Sequence, residues 1–350
     1  MATAKEKELE GVDCDAAALE GVRAVLRARL AHMCDLRAAA LEWEDIEGVH
    51  QMRVASRRLR SALRDFDDLL GKGAVPQRRL KEVADALGDV RDQDVALAAL
   101  EKVRKKAGQG GAEGVGLLIG EREEVRARAR ERLEAVIAEA PLAELREKFL
   151  QRLERVGTVG RQKKGDKRKR VTKKVVSFRQ AGRKVVESRL TELREFSNSL
   201  HHPFDVEPLH EMRIAAKRLR YVLELFAQCW GGRLTSCSRE VAELQTSLGE
   251  LRDCDLWIED LGARLDRHRE ESEGQDADSL IRLAAIWLLN HFTKERTKHF
   301  RGALARWHKW ETGGFFERML EVLGEERSGA AEVETVAAEP TPAASNTPTD

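Results

Sequence analysis

The sequence predicts an all-α protein built from two tandem four-helix repeats, and three observations carry that prediction. Ala, Leu, Glu and Arg dominate, all good helix formers, while aromatics make up only 5%. Runs with the period-two alternation of a half-buried strand are missing. Most telling is an internal repeat. His50-Gln-Met-Arg-Val-Ala-Ser-Arg-Arg-Leu-Arg returns as His210-Glu-Met-Arg-Ile-Ala-Ala-Lys-Arg-Leu-Arg, offset by 160 positions. Leu87-Gly-Asp-Val-Arg-Asp-Gln-Asp returns as Leu248-Gly-Glu-Leu-Arg-Asp-Cys-Asp, offset by 161. Two motifs in the same order and at nearly the same separation mark a tandem duplication. The length of 350 residues agrees, since single hydrophobic cores rarely grow that large.

Taken in order, residues 1–14 read as a flexible N-terminus and 15–160 as the first repeat. Its main helices are predicted near 15–42, 47–70, 77–106 and 117–138, with a further segment at 142–155. Breaks are expected at Gly71–Pro76, in a Gly108–Gly116 loop and at Pro141. Residues 161–170 form a very basic linker. The second repeat, 171–326, is predicted to hold helices near 171–200, 208–229, 234–270 and 279–312, then a short one at 315–325. Residues 327–350 form an acidic tail whose Ala/Glu/Pro/Thr composition cannot bury a core, and disorder is expected there.

A net charge of +1 averages over unlike regions. No Lys or Arg follows Arg327, whereas Glu332, Glu334, Glu339 and Asp350 do, so residues 1–327 are net basic. The five cysteines, Cys14, Cys34, Cys229, Cys237 and Cys254, are odd in number and lack CxxC spacing, which reads as reduced thiols in a cytosolic protein. The N-terminus lacks the apolar core of a signal peptide, and the longest apolar run, Leu283–Leu289, is far shorter than the ~20 residues of a membrane span. A cytoplasmic protein without a membrane partner is expected.

Placed on a helix, residues 47–70 show two stripes. His50, Arg53, Arg57, Arg60 and Arg64 follow 3-4-3-4 spacing along one face, with Arg58 beside them. Met52, Ala55, Leu59, Ala62 and Phe66 follow the same spacing about 200° away. The second motif repeats this with His210, Arg213, Lys217 and Arg220, flanked by Arg218, opposite Met212, Ala215, Leu219, Val222 and Phe226; Glu224 replaces Arg64. An ordinary solvated helix face mixes signs. Like charges four apart cost roughly 0.2–0.5 kcal/mol per pair, a cost that a bound polyanion reverses, and Arg presents a planar fork suited to phosphate oxygens. Arg23 and Arg183 (with Arg29 and Arg189, aligned on the first helices of the two repeats), Arg122 and Arg126, and Arg296 are auxiliary candidates.

On the third helix of each repeat, Asp94 lies on the stripe Leu80, Val83, Leu87, Val90, Leu97, and Asp255 on Val241, Leu244, Leu248, Leu251, Ile258. A carboxylate at a core position needs a partner. A pair with Arg or His of the neighbouring basic helix is expected, which makes Asp94 and Asp255 orienting carboxylates. Asp92 and Asp94 point about 200° apart, which is unsuited to a shared metal, and the nine histidines show no HExxH spacing. No metal, cofactor or catalytic residue is predicted.

These four motifs, in their order, resemble the CHAD domain family, over roughly residues 10–325. The resemblance implies two four-helix repeats with pseudo-twofold symmetry around a basic groove or pore, binding of inorganic polyphosphate, and association with polyphosphate granules in some members. By position the family's histidines fall on His50 and His210, and its basic residues on Arg53, Arg57, Arg58, Arg60, Arg213, Lys217, Arg218 and Arg220. Glu224 departs from the pattern and makes one wall less basic. The function expected is non-catalytic polyphosphate binding. The alternatives are a metal-dependent phosphoanhydride-cleaving enzyme, disfavoured by the missing Gly-rich phosphate loop, and a nucleic-acid-backbone binder, disfavoured by the scarcity of stacking aromatics on the basic helices. Nucleic acid is therefore the weaker partner.

Overall fold

The computed structural model describes residues 12–75, 77–157, 176–270 and 276–325. The linker at 161–170, nearly all of the 1–14 segment and the acidic tail lie outside the described residues. Within them the chain is helical throughout, apart from short turns and an isolated bridge between Ala17 and Ser177.

The first half contains α1 (Ala18–Asp35), α2 (Arg37–Ala40), α3 (Ile46–Asp65), α4 (Asp67–Leu70), α5 (Arg78–Arg104), α6 (Gln109–Val136) and α7 (Glu139–Arg155). The second contains α8 (Phe178–Glu195), α9 (Val206–Phe226), α10 (Leu234–Glu270), α11 (Asp276–Thr312) and α12 (Phe315–Gly324), with 3₁₀ turns after α8 and α9. Local chemistry sets several of these ends. Asp45 caps α3 by accepting from the Glu47 amide, and Ser177 with Gln180 forms a reciprocal capping box at α8. Gly231 and Gly314 take the left-handed conformation that breaks the chain before the next helix.

Two expected breaks are shifted: the chain turns at Lys105–Gly108 and at Ile137–Ala138. Pro141 sits in the first turn of α7, where its missing N–H costs nothing. The glycine-rich stretch after Gly108 is helical from Gln109, because its glycine serves packing. A Cβ on Gly114 would come within 2.2 Å of the Leu280 carbonyl oxygen, so only glycine lets α6 lie this close to α11.

The helices pack in one order in both halves. α1 lies on α3, α3 on α5 and α5 on α6, while α8 lies on α9, α9 on α10 and α10 on α11. The halves meet through α1 and α8, α3 and α9, and α6 and α11. At the centre Phe66 and Phe226, which end the two apolar stripes, pack edge to face at 6.1 Å, and Phe178 lies 4.9 Å from Phe226. The apolar stripes of α3 and α9 are wholly buried in this core, which extends along α5 to Val90 and along α10 to Leu251. A second, smaller core joins the far ends of α5, α6, α10 and α11, beginning at Leu97 and Cys254.

The thiol expectation is corrected at one pair. Cys14 and Cys229, 215 positions apart, form a disulfide, whereas Cys34, Cys237 and Cys254 are free. The N-terminal segment reaches Cys229 because it pairs with the start of α8, where the amides of Phe178 and Arg179 donate to the carbonyls of Ala16 and Cys14. Spacing along the chain holds no trace of such a contact. No helix among the described residues is long and apolar enough to cross a membrane.

Candidate functional site

With Met52, Ala55, Leu59 and their counterparts on α9 turned into the core, the cationic stripes of α3 and α9 are forced to the other side. Because α3 and α9 touch, the two stripes form one cluster. Its centre is Lys217, whose amine is brought down to about 7 by burial and then by Arg57, Arg213, Arg53 and Arg218. Arg57, Arg213 and Lys217 form no ion pair with a carboxylate among the described residues. Arg57 instead stacks over Tyr221, 5.6 Å from the ring centre, and its buried Nε has no acceptor.

Arg53 and Arg213 are held alike. Each lies over a glycine of the adjacent helix, Gly88 and Gly249, which leaves room for the guanidinium. Arg53 donates to Asp92 at 3.2 Å, and Asp253 exerts the corresponding attraction on Arg213. Burial lowers the pKa of both arginines and raises that of Asp253, which Arg213 opposes. His50 and His210 are half-buried at the head of each stripe. Burial and then Arg91 lower the first; burial and then Arg252 and Arg213 lower the second. Both imidazoles are therefore neutral at pH 7, and the buried Nδ1 of His210 has no partner.

Several expected site residues are engaged elsewhere. Arg58 is buried and donates to Glu224 at 2.9 Å, while Arg220 donates to the same carboxylate at 2.6 Å. Glu224 thus neutralises part of the surface, beyond merely shortening a stripe. Arg218 pairs with Glu192, which is also bonded to Arg189. Arg23 donates to the Glu154 and Val156 carbonyls at the end of α7, and Arg183 pairs with Glu187 one turn along α8; neither joins the cluster. Arg29 is buried and donates to the Arg58 carbonyl. Arg60 lines the groove between α3 and α5, and Arg64 is exposed at the far end beside Arg218 and Arg189.

Asp94 and Asp255 are core residues, 4% and 8% exposed, but their partners differ from the expectation. Arg126 of α6 lies 3.6 Å from Asp94, and Arg296 of α11 donates to Asp255 at 2.5 Å. Helical periodicity had fixed the face of each aspartate correctly, and that face looks toward α6 and α11. Burial raises the Asp94 pKa, opposed chiefly by Arg126 and Arg130. These pairs form a polar layer between the two cores, and the orienting role toward the basic helices falls to Asp92 and Asp253 instead. Sequence reasoning also missed Arg91 and Arg252, which stand beside the histidines. Their signal was present, because both belong to the repeated Arg-Asp-x-Asp motif.

A cavity of about 460 Å³ opens between α3, α5, α6, α9 and α10, with Arg53, Arg213 and Arg252 on its wall. Arg122 faces it too, held by Asp260 at 2.7 Å and lying 5.5 Å over Trp257. Among the described residues no group of three or more His, Cys, Asp or Glu side chains could hold a metal ion.

Comparison with known proteins agrees with this architecture. Solved structures share the fold. The crystal structure of the CHAD domain from the plant Ricinus communis aligns with a TM-score of 0.61 and 23% identity, covering 85% of this chain and 93% of its own. PptA from Streptomyces chartreusis aligns with a TM-score of 0.59 and 17% identity, covering 84% and 100%. No curated protein matches in sequence. The family model for the CHAD domain matches residues 24–262, from α1 into α10 and across both copies of the repeated motifs. The chain belongs to the CHAD domain family.

Proposed function

We propose that this protein binds inorganic polyphosphate without cleaving it, on the cationic cluster shared by α3 and α9. In this reading the two halves are repeats related by a pseudo-twofold axis, and the groove between them is the path of the chain. One observation carries the proposal: Lys217 is half-buried among arginines of both halves, with no carboxylate among the described residues paired to it, Arg57 or Arg213. Such a cluster repels itself until an anion of high charge density enters. Arginine forks bind phosphate oxygens bidentately, and the neutral histidines at the head of each stripe donate a further hydrogen bond. Asp92 and Asp253 aim the leading arginines. Co-localisation with polyphosphate granules follows from the same reading.

Titration with long-chain polyphosphate, tripolyphosphate and single-stranded DNA at two salt concentrations tests it. Affinity should fall by roughly 0.7 log units per contact per decade of salt, and the long chain should bind tightest because it reaches both halves. Replacing Arg53, Arg57 and Arg60 with Ala, or Arg213 and Lys217, should lower both affinity and salt slope. DNA binding more tightly at equal charge would transfer the site to nucleic-acid backbones. Phosphate release in the presence of Mg²⁺ would make the protein an enzyme.

A further inference from the structure

The cavity beside the cationic cluster has one side lined by apolar residues. Val95 of α5 and Leu256 of α10, equivalent positions directly after Asp94 and Asp255, are both turned outward and line it. Trp257 stands beside them, stacked parallel on Phe292 with ring centres 5.1 Å apart and covered by the Arg122 guanidinium. The result is a rigid wall, apolar at its base, immediately next to Arg53, Arg213 and Arg252. Isolated exposed aliphatic residues need no explanation. An apolar floor repeated in both halves, joined to a stacked aromatic wall and an arginine cluster, describes a ligand with a flat apolar end and an anionic end.

We propose that this cavity binds a nucleoside polyphosphate, its phosphates on Arg53, Arg213 and Arg252 and its base on the Val95–Leu256–Trp257 wall. The inference rests on the anion-binding reading above and narrows the ligand. Its volume of about 460 Å³ lies within the range of small-ligand sites. Polar groups on the wall favour a base over a lipid chain. The Asp253 carboxylate lines the cavity together with Leu256 and Trp257. The exocyclic amine of adenine, guanine or cytosine can donate to it, whereas an acyl chain brings no donor. The guanidinium of Arg252 has no ion-pair partner among the described residues and is free for phosphate.

The test compares ATP with tripolyphosphate, which carry similar phosphate chains, by calorimetric titration of the full chain. ATP should bind about tenfold more tightly, from burial of the base against the Val95 and Leu256 side chains. Leu256→Ser and Val95→Ser alter outward-facing residues and should leave the thermal melt and tripolyphosphate affinity unchanged while removing the ATP advantage. Equal affinities for ATP and tripolyphosphate would overturn the nucleoside site and leave polyphosphate binding standing. An ATP advantage that survives both substitutions would place the base elsewhere and overturn it as well. Failure of ATP, tripolyphosphate and long polyphosphate alike would remove both readings together.

Discussion

Arg296 donates its Nε hydrogen to Asp255 at 2.5 Å, whereas the equivalent Arg126 stands 3.6 Å from Asp94. Both pairs lie between the two cores, but only one is a hydrogen bond. Removing a partner from a buried pair costs about 3–5 kcal/mol. Asp255→Ala should therefore lower the melting temperature by about ten degrees. Asp94→Ala should cost less, since neither Asp94 oxygen accepts a hydrogen bond. Thermal melts of the two variants check the order, and equal losses would show that the longer pair carries the same weight.

Lys217 makes polyphosphate binding depend on pH. Its folded-state value of about 7 lies below the ordinary 10.5, so the unfolded chain binds more protons between those limits. Folding stability should rise with pH across that window. Binding runs the other way. A polyanion restores the proton, so affinity should fall as pH rises above 7, with one proton taken up per site. Calorimetry at pH 8 in buffers of differing ionisation enthalpy measures the uptake, and Lys217→Arg should abolish it.

Glu224 restrains the surface. It holds Arg58 and Arg220 at once. Glu224→Gln should release positive charge, raising polyphosphate affinity by about two- to fivefold. It should also destabilise the fold by about 1–3 kcal/mol, because Arg58 is buried. Paired titrations and melts report the two effects, and unchanged affinity would mean Arg220 lies outside the binding path.

The Cys14–Cys229 bond closes a loop of 215 positions. Chain-entropy reasoning assigns such a closure about 5 kcal/mol. Reduction with dithiothreitol, or Cys14→Ser, should lower the melting temperature and leave polyphosphate affinity nearly intact, since neither cysteine touches the basic cluster. A matched drop in affinity would tie the N-terminal segment to the site.

Periodicity made the core and the basic face readable from the sequence, because a 3-4 stripe assigns each residue a side of its helix. All ten apolar positions of the two stripes are buried. Periodicity does not say which helix lies against that side, so Asp94 and Asp255 were given partners on α3 and α9 in place of α6 and α11. The same limit concealed Arg91 and Arg252, whose motif drew attention to its carboxylates. Gly114 misled for another reason: a glycine that marks close helix packing looks, in sequence, like one that marks a loop.

The pairing of the Ala16 and Cys14 carbonyls with the first amides of α8, and the packing of Phe178 against both Phe66 and Phe226, bear on the order of assembly. A ribosome must add the 160 residues from Phe66 to Phe226 before that aromatic centre can close, which takes on the order of ten seconds or more. Until then the nascent first half exposes the apolar face that α8 and α9 will cover. Contacts of such long sequence separation slow folding and lengthen the interval open to chaperones and proteases. Cys14 and Ala16 are thus made long before the segment that fixes them in place.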